Sequence, residues 1–183
     1  MSQTTLIKSR YHPVRAILTF YFCFDKLTNN NNLKPDIMST KIFVNLPVKD
    51  LKKSMDFFKK LGFTFNPQFT DDTAACMKIT DEIFAMLLTH DKFKMFTTKE
   101  IADASKTTEV LLCLALDSKE KVNEITENAL SAGGTEPRQP QDYGFMFGRS
   151  FTDPDGHIWE PIWMDPAFVN QGEKPAVAQE AVA

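Results

Sequence analysis

Residues 150–163 read SFTDPDGHIWEPIW, and this stretch decides the fold. Asp153-Pro154-Asp155-Gly156 is turn chemistry: proline presets φ, aspartate bonds its own backbone and glycine accepts positive φ. FMFGRSFT (145–152) leads into the turn and HIWEPIWM (157–164) leaves it. Both segments are rich in aromatic and β-branched residues, which predicts a hairpin. Side chains alternate between the two faces of a strand. His157, Trp159, Pro161 and Trp163 therefore share one face, and Ile158, Glu160, Ile162 and Met164 share the other. A carboxylate flanked by isoleucines is costly unless it meets a metal, a ligand, a positive partner or water.

Outward from the hairpin, the same order of elements occurs twice. Residues 41–48 predict a strand. Asp50 then caps an amphipathic helix, LKKSMDFFKKL (51–61), whose apolar face carries Leu51, Met55 and Phe58, with Phe57 at its margin. Gly62 closes the helix in the C′ position. Three strand-like segments follow: FTFNPQF (63–69), AACMKIT (74–80) and IFAMLLT (83–89). The pattern restarts with the strand TEVLLCLALDS (108–118) and the helix KEKVNEITENALSAGG (119–134), which ends at Gly133-Gly134. A proline-interrupted edge strand, TEPRQPQ (135–141), precedes the hairpin. The expected fold class is α+β: paired βαβββ modules, about 41–88 and 108–165, forming a curved sheet around a shared cavity. Between them, Thr97 and Glu100 form a T-x-x-E capping box that predicts a short helix from about Thr98 to Ala104, either a lid or a surface connector.

Composition limits the function. The 183 residues are 43% hydrophobic and 25% charged, as in an ordinary globular protein. The net charge is −3 and Lys and Arg are scattered without a basic stripe, which argues against nucleic acid as a partner. The longest apolar run, Ala16 to Phe24, is about half a membrane-spanning length, so no membrane association is expected. Cys23, Cys76 and Cys113 show no paired spacing and are read as reduced thiols of a cytoplasmic protein. Residues 1–37 lack any core periodicity and are expected to be a disordered, non-core extension, with the domain at 38–168 and a disordered tail at 169–183.

FVNLPVKDLKKSMDFFKKLGF (43–63), VLLCLALDS (110–118) and FTDPDGHIWEPIW (151–163) together resemble the vicinal-oxygen-chelate superfamily of glyoxalase I, bleomycin-resistance proteins, fosfomycin-resistance enzymes and extradiol dioxygenases. The nearest resemblance is to its predicted lactoylglutathione lyase (glyoxalase-like) branch. The resemblance implies paired βαβββ modules assembled as a homodimer. It also implies metal ligands, usually His and Glu, on the first and last strand of each module. Those positions fall on Phe43, Leu111, Glu160 and Met86 (or Ala85), so one of the four carries a metal-binding side chain. No metal ligand set is therefore assigned and no cofactor is expected; a divalent metal would need ligands the sequence does not identify.

Alternation places Asn45 with Phe43 and Cys113 with Leu111. The candidate ligand-binding set is Phe43, Asn45, Met86, Leu111, Cys113, Arg149 and Glu160. For FMFGRSF two orientations stay open. Either Phe145, Phe147 and Arg149 point inward, making Arg149 the salt-bridge partner of Glu160, or Met146, Gly148 and Ser150 do. His157, three residues from Glu160 on a strand, belongs to the opposite face or the turn, and His90 lies near the cavity mouth. The expected function is binding of a small, partly aromatic molecule, in the manner of the bleomycin-resistance proteins and without the usual metal site. The alternative is a metal-dependent lyase or isomerase of the glyoxalase I type, or a dioxygenase-like enzyme, with Glu160 as general base. A dimerisation module without a ligand is the third reading.

Overall fold

A computed structural model describes residues 40–169. The predicted extension over 1–37 and the tail past Val169 fall outside the described residues. The first module runs β1 (Ile42–Val48), α1 (Leu51–Lys60), β2 (Thr64–Asn66), β3 (Ala74–Lys78) and β4 (Ile83–Thr89). After a short helix α2 (His90–Lys94), the second runs β5 (Leu111–Ala115), α3 (Lys119–Ser131), β6 (Gln141–Asp142), β7 (Met146–Gly148), β8 (Phe151–Thr152) and β9 (Ile158–Met164), followed by α4 (Pro166–Val169). The first sheet has the order β1-β4-β3-β2 and the second β5-β9-β7-β6, with β8 also on β9. In each, the first and last strands pair in parallel and the rest antiparallel. The βαβββ unit is therefore used twice with one topology, in two curved sheets.

Local chemistry sets the helices as expected. Asp50 is extended (φ −133°) and its Oδ1 accepts from the Lys53 amide at 2.9 Å. Lys59 and Lys60 complement the dipole at the other end of α1. Ser118 caps α3 through the Lys121 amide at 3.3 Å. At the end of α3 a Cβ on Gly134 would sit 2.5 Å from the Thr152 carbonyl oxygen, so only glycine lets the helix end approach β8.

Every strand divides its side chains between a helix face and an open face. Leu46 and Val48, Ala75 and Met77, and Ala85 and Leu87 turn toward α1. There they join Phe57, Phe58, Ala129, Phe151 and Trp159 in one core common to both modules. Phe58 meets the Trp159 ring edge-on at 5.1 Å, and Phe57 meets Phe151 at 6.2 Å. Removing an aromatic side chain from such a core costs about 3–5 kcal/mol.

The 153–157 turn ties the modules together. Asp153 Oδ1 accepts from the amides of Asp155, Gly156 and His157, and Oδ2 accepts from the Trp159 indole. Burial pushes the Asp153 carboxyl up, against the opposing pull of His157 and these hydrogen bonds. Asp155 reaches into the first module, accepting from the Lys49 amide at 2.8 Å and the Ser54 hydroxyl at 2.9 Å. His157 Nε2 donates to the Pro47 carbonyl at 2.9 Å. Gly156 has φ +99°, and a Cβ there would lie 2.9 Å from the Ala104 backbone.

Two sequence expectations need correction. The segment from Thr98 to Ala104 is not helical; the helix lies earlier, at His90–Lys94, capped by the Thr89 hydroxyl. Thr97 bonds only the Lys99 amide, and Asp103 bonds the amide and hydroxyl of Ser105, so local side-chain turns outcompete helix formation. The strand expected over 135–141 is reduced to Gln141–Asp142 plus a single bridge from Thr135 to Thr152, because Pro137 and Pro140 have no N–H to donate.

Asp155→Ala leaves the Lys49 amide without its acceptor in a half-buried setting. It should lower stability by about 1–3 kcal/mol, measured by urea unfolding, while Asp56→Ala on the exposed face of α1 should change it by no more than about 0.5 kcal/mol.

Candidate functional site

The open faces of the two sheets differ in chemistry. On the first, Ala74, Cys76, Phe84, Met86 and Leu88 form a buried apolar cluster against which Phe43, Phe69 and Phe93 pack. Phe43 stacks on Phe84 with ring centroids 4.8 Å apart. Asn45, paired in register with Met86, is exposed at the margin of this face.

The second open face has a polar row at its centre. Parallel pairing puts Cys113 beside Glu160, and Leu111 beside Ile158. On the other side of β9, Gly148 pairs with Ile162 and Phe151 with Trp159, and the Arg149 amide bonds the Pro161 carbonyl at 3.1 Å. This unbroken register sets Ser150 opposite Glu160. Thiol, carboxylate and hydroxyl thus lie side by side on three adjacent strands, flanked by Leu111, Ile158 and Ile162. Leu111 is 49% exposed.

Arg138 completes the row. Its guanidinium donates to Glu160 Oε1 at 2.5 Å; the Glu160 side chain is 14% exposed and that of Arg138 46%. Arg138 comes from the irregular Pro137–Pro140 segment, so no strand or helix period pointed to it. Burial, and then the Glu160 charge, pushes the Cys113 thiol up, while Arg138 pulls it down. Ser150 Oγ is fully buried with no hydrogen-bond partner.

Of the residues picked from the sequence, Leu111, Cys113 and Glu160 gather on this second face. Phe43 and Met86 belong to the filled first face. Arg149, expected to line the cavity and offered as the partner of Glu160, takes the opposite face. It is bidentate to Glu136 at 2.9 and 2.8 Å, and it bonds Glu127 at 2.7 Å and Asn123 at 3.1 Å. Three acceptors around α3 draw it to the helix side, so of the two orientations for FMFGRSF the one with Met146, Gly148 and Ser150 on the open face holds. His157 faces away from Glu160, as alternation required.

A family profile for the Glyoxalase/Bleomycin resistance protein/Dioxygenase superfamily matches residues 42–160. The chain belongs to that superfamily. Among solved structures, a hypothetical protein from S. aureus is 28% identical with a TM-score of 0.59, covering 72% of this chain and 99% of that one. A glyoxalase/bleomycin resistance protein/dioxygenase family enzyme from Burkholderia phytofirmans PsJN is 17% identical with a TM-score of 0.57, covering 67% and 96%. A glyoxalase-related enzyme from Fulvimarina pelagi is 18% identical with a TM-score of 0.59, covering 69% and 88%. These last two share the fold. No match was found among curated proteins.

The residues at the family's metal positions do not fit a catalytic metal. Phe43 and Leu111 have no donor atom, Met86 offers a buried thioether, and Glu160 is engaged by Arg138. Among the described residues no group of three His, Cys, Asp or Glu side chains is placed to hold an ion.

The row predicts thiol chemistry. Cys113 is exposed, yet its raised pKa keeps it protonated near neutral pH, so it should alkylate more slowly than a free cysteine. Glu160→Gln removes the neighbouring negative charge and should speed alkylation; Arg138→Ala should slow it. Iodoacetamide labelling of the Cys113 peptide, followed by mass spectrometry, reads both directions.

Proposed function

We propose that this protein binds a small, partly aromatic molecule on the open face of its second module, without a resident catalytic metal, in the manner of the bleomycin-resistance proteins of its superfamily. One observation carries the reading: an open apolar sheet face, exposed at Leu111 and Met164, with Glu160, Arg138 and Cys113 converging at its centre. Apolar area supplies binding energy and a few fixed polar groups supply orientation. Glu160 serves as an acceptor oriented by Arg138 rather than as a general base. Ser150, fully buried beneath the row, holds a hydroxyl with no protein partner.

Exposed Leu111, on the edge strand β5, and Met164, at the end of β9, support assembly as a homodimer in which a second copy covers the margin of this face. The free thiol of Cys113 fits a cytoplasmic setting. No helix among the described residues is long and apolar enough to cross a membrane.

A panel of planar aromatic compounds, screened by thermal shift and mapped by amide NMR, tests the site. Bound compounds should perturb Cys113, Ser150, Ile158 and Ile162. Glu160→Gln should weaken them about tenfold, the cost of one charged hydrogen bond, with the unfolding midpoint almost unchanged. A loss near the roughly 3–5 kcal/mol expected for breaking a fully buried pair, with binding intact, would assign Glu160 to folding instead. Ser150→Ala should hold or raise stability, because it removes an unsatisfied buried hydroxyl.

Assembly and metal content are read separately. Light scattering at micromolar concentration should give twice the chain mass. Incubation with Zn²⁺, Ni²⁺ or Fe²⁺ followed by desalting should leave substoichiometric metal; a tight stoichiometric ion would favour the glyoxalase-type lyase reading over this one.

A further inference from the structure

Among the described residues, Arg138 and Arg149 both pair with glutamate, and the two pairings differ in kind. Arg149, on the helix side and 8% exposed, is fully committed. Its Nε, Nη1 and Nη2 all have acceptors, in Glu136, Glu127 and Asn123. Such a group locks elements together and has little left to offer a ligand. Arg138 makes a single bond among the described residues, from Nη2 to Glu160 Oε1. Its Nε and Nη1 have no acceptor there. Glu160 Oε2 has no donor there, and unlike Ser150 Oγ it is not sealed from solvent. The pair is half-made, with an acceptor and free donors left side by side.

The register shows from which side a ligand reaches it. Arg138 approaches Glu160 from the side of β7 and β8, because Thr135, just before it in the chain, bridges to Thr152. β5 flanks Glu160 on the other side, where Cys113 is exposed. The sequence of β5, LLCLA, carries no charge. A molecule lying over Cys113 therefore meets the pair with an uncharged strand beneath it.

Net charge then selects the head group. The charges of Glu160 and Arg138 cancel. A carboxylate head would bond Arg138 but face the Glu160 charge, and an amidinium head would do the reverse. A zwitterion would have to bring a full ammonium, stripped of water, to a carboxylate that is only 14% exposed. A neutral head with an adjoining carbonyl and N–H meets neither cost. Its carbonyl accepts from Arg138 and its N–H donates to Glu160 Oε2. We infer that the ligand of this face is an aromatic carboxamide or lactam, held by its C(=O)–N–H edge between Arg138 and Glu160 with its ring over Cys113. This rests on the ligand site proposed above and names the head group that site selects.

Three naphthalenes of one shape test it: 2-naphthamide, 2-naphthoate and 2-naphthamidine. Each is titrated into the full chain and read by amide NMR and by protection of Cys113 from iodoacetamide. Naphthamide should bind about tenfold more tightly than either charged analogue, the worth of one hydrogen bond to a charged group. It should shift Cys113 and Glu160 and slow Cys113 labelling. Glu160→Gln should erase its advantage over naphthoate, and Arg138→Gln its advantage over naphthamidine, whereas a purely structural pair would leave both ratios unchanged. Either charged analogue binding over Cys113 as tightly as naphthamide would overturn the head-group inference and leave the ligand site standing. The absence of a saturable shift at Cys113 with all three would also overturn it, and the wider aromatic panel then decides the site separately.

Discussion

The bond from Asp155 into the first module is the constraint on which the rest of the molecule depends. A carboxylate in the turn before β9 accepts from the backbone at the start of α1 and from Ser54 within it. Two bonds, each between residues more than a hundred positions apart, thereby fix the second module's last strand against the first module's helix. Asp153 holds the turn's own shape by bonding three successive amides and the Trp159 indole. Glycine at 156 lets the backbone pass within contact of Ala104. The turn motif that carries the family resemblance is therefore a structural clamp, and none of its polar atoms points to the Glu160 row.

From that clamp the two faces of β9 follow. Once the turn is anchored, alternation sends Trp159 and Pro161 into the shared core, where Trp159 packs on Phe58 and Phe151. The same alternation sends Glu160 outward. The aromatic packing is worth several kcal/mol and leaves no freedom to slip the strand by one residue, since a slip would bury the carboxylate and expose the indole. The core thus holds a polar group in place on the open face.

The legible features are those encoded in local periodicity. Alternation along HIWEPIW separated Glu160 from both tryptophans, the repeated strand-helix-strand pattern disclosed the two modules, and Asp50, Gly62 and Gly133 marked helix ends that the structure has. What was not legible depended on distant partners. Arg138 lies in a proline-broken stretch with no period, so its reach to Glu160 is a tertiary fact. Arg149 could be oriented only by knowing that Glu127, Glu136 and Asn123 surround it. The T-x-x-E pattern at 97–100 is a helix start only when no local turn competes, and here Thr97 closes a turn on the Lys99 amide while Asp103 closes another on Ser105. The expectation of a cavity shared by Phe43 and Glu160 assumed that both modules keep equivalent surfaces.

They do not, and the register shows how the repeat diverged in chemistry while its geometry stayed fixed. Asn45 pairs with Met86 in the first sheet as Cys113 pairs with Glu160 in the second. Phe43 with Phe84 correspond likewise to Leu111 with Ile158. In the first module the aromatic pair stacks, Phe69 and Phe93 cover the face, and Met86 is buried where a carboxylate would need a partner. In the second module smaller aliphatic residues leave the face uncovered, so a carboxylate at the matching position keeps access to solvent and to Arg138. A charge at position 86 would be desolvated among phenylalanines at a cost of several kcal/mol, whereas at position 160 the half-exposed Arg138 guanidinium offsets it. The aromatic filling of one face and the polar row on the other are thus consequences of a single difference, namely whether neighbouring aromatic rings close over the sheet.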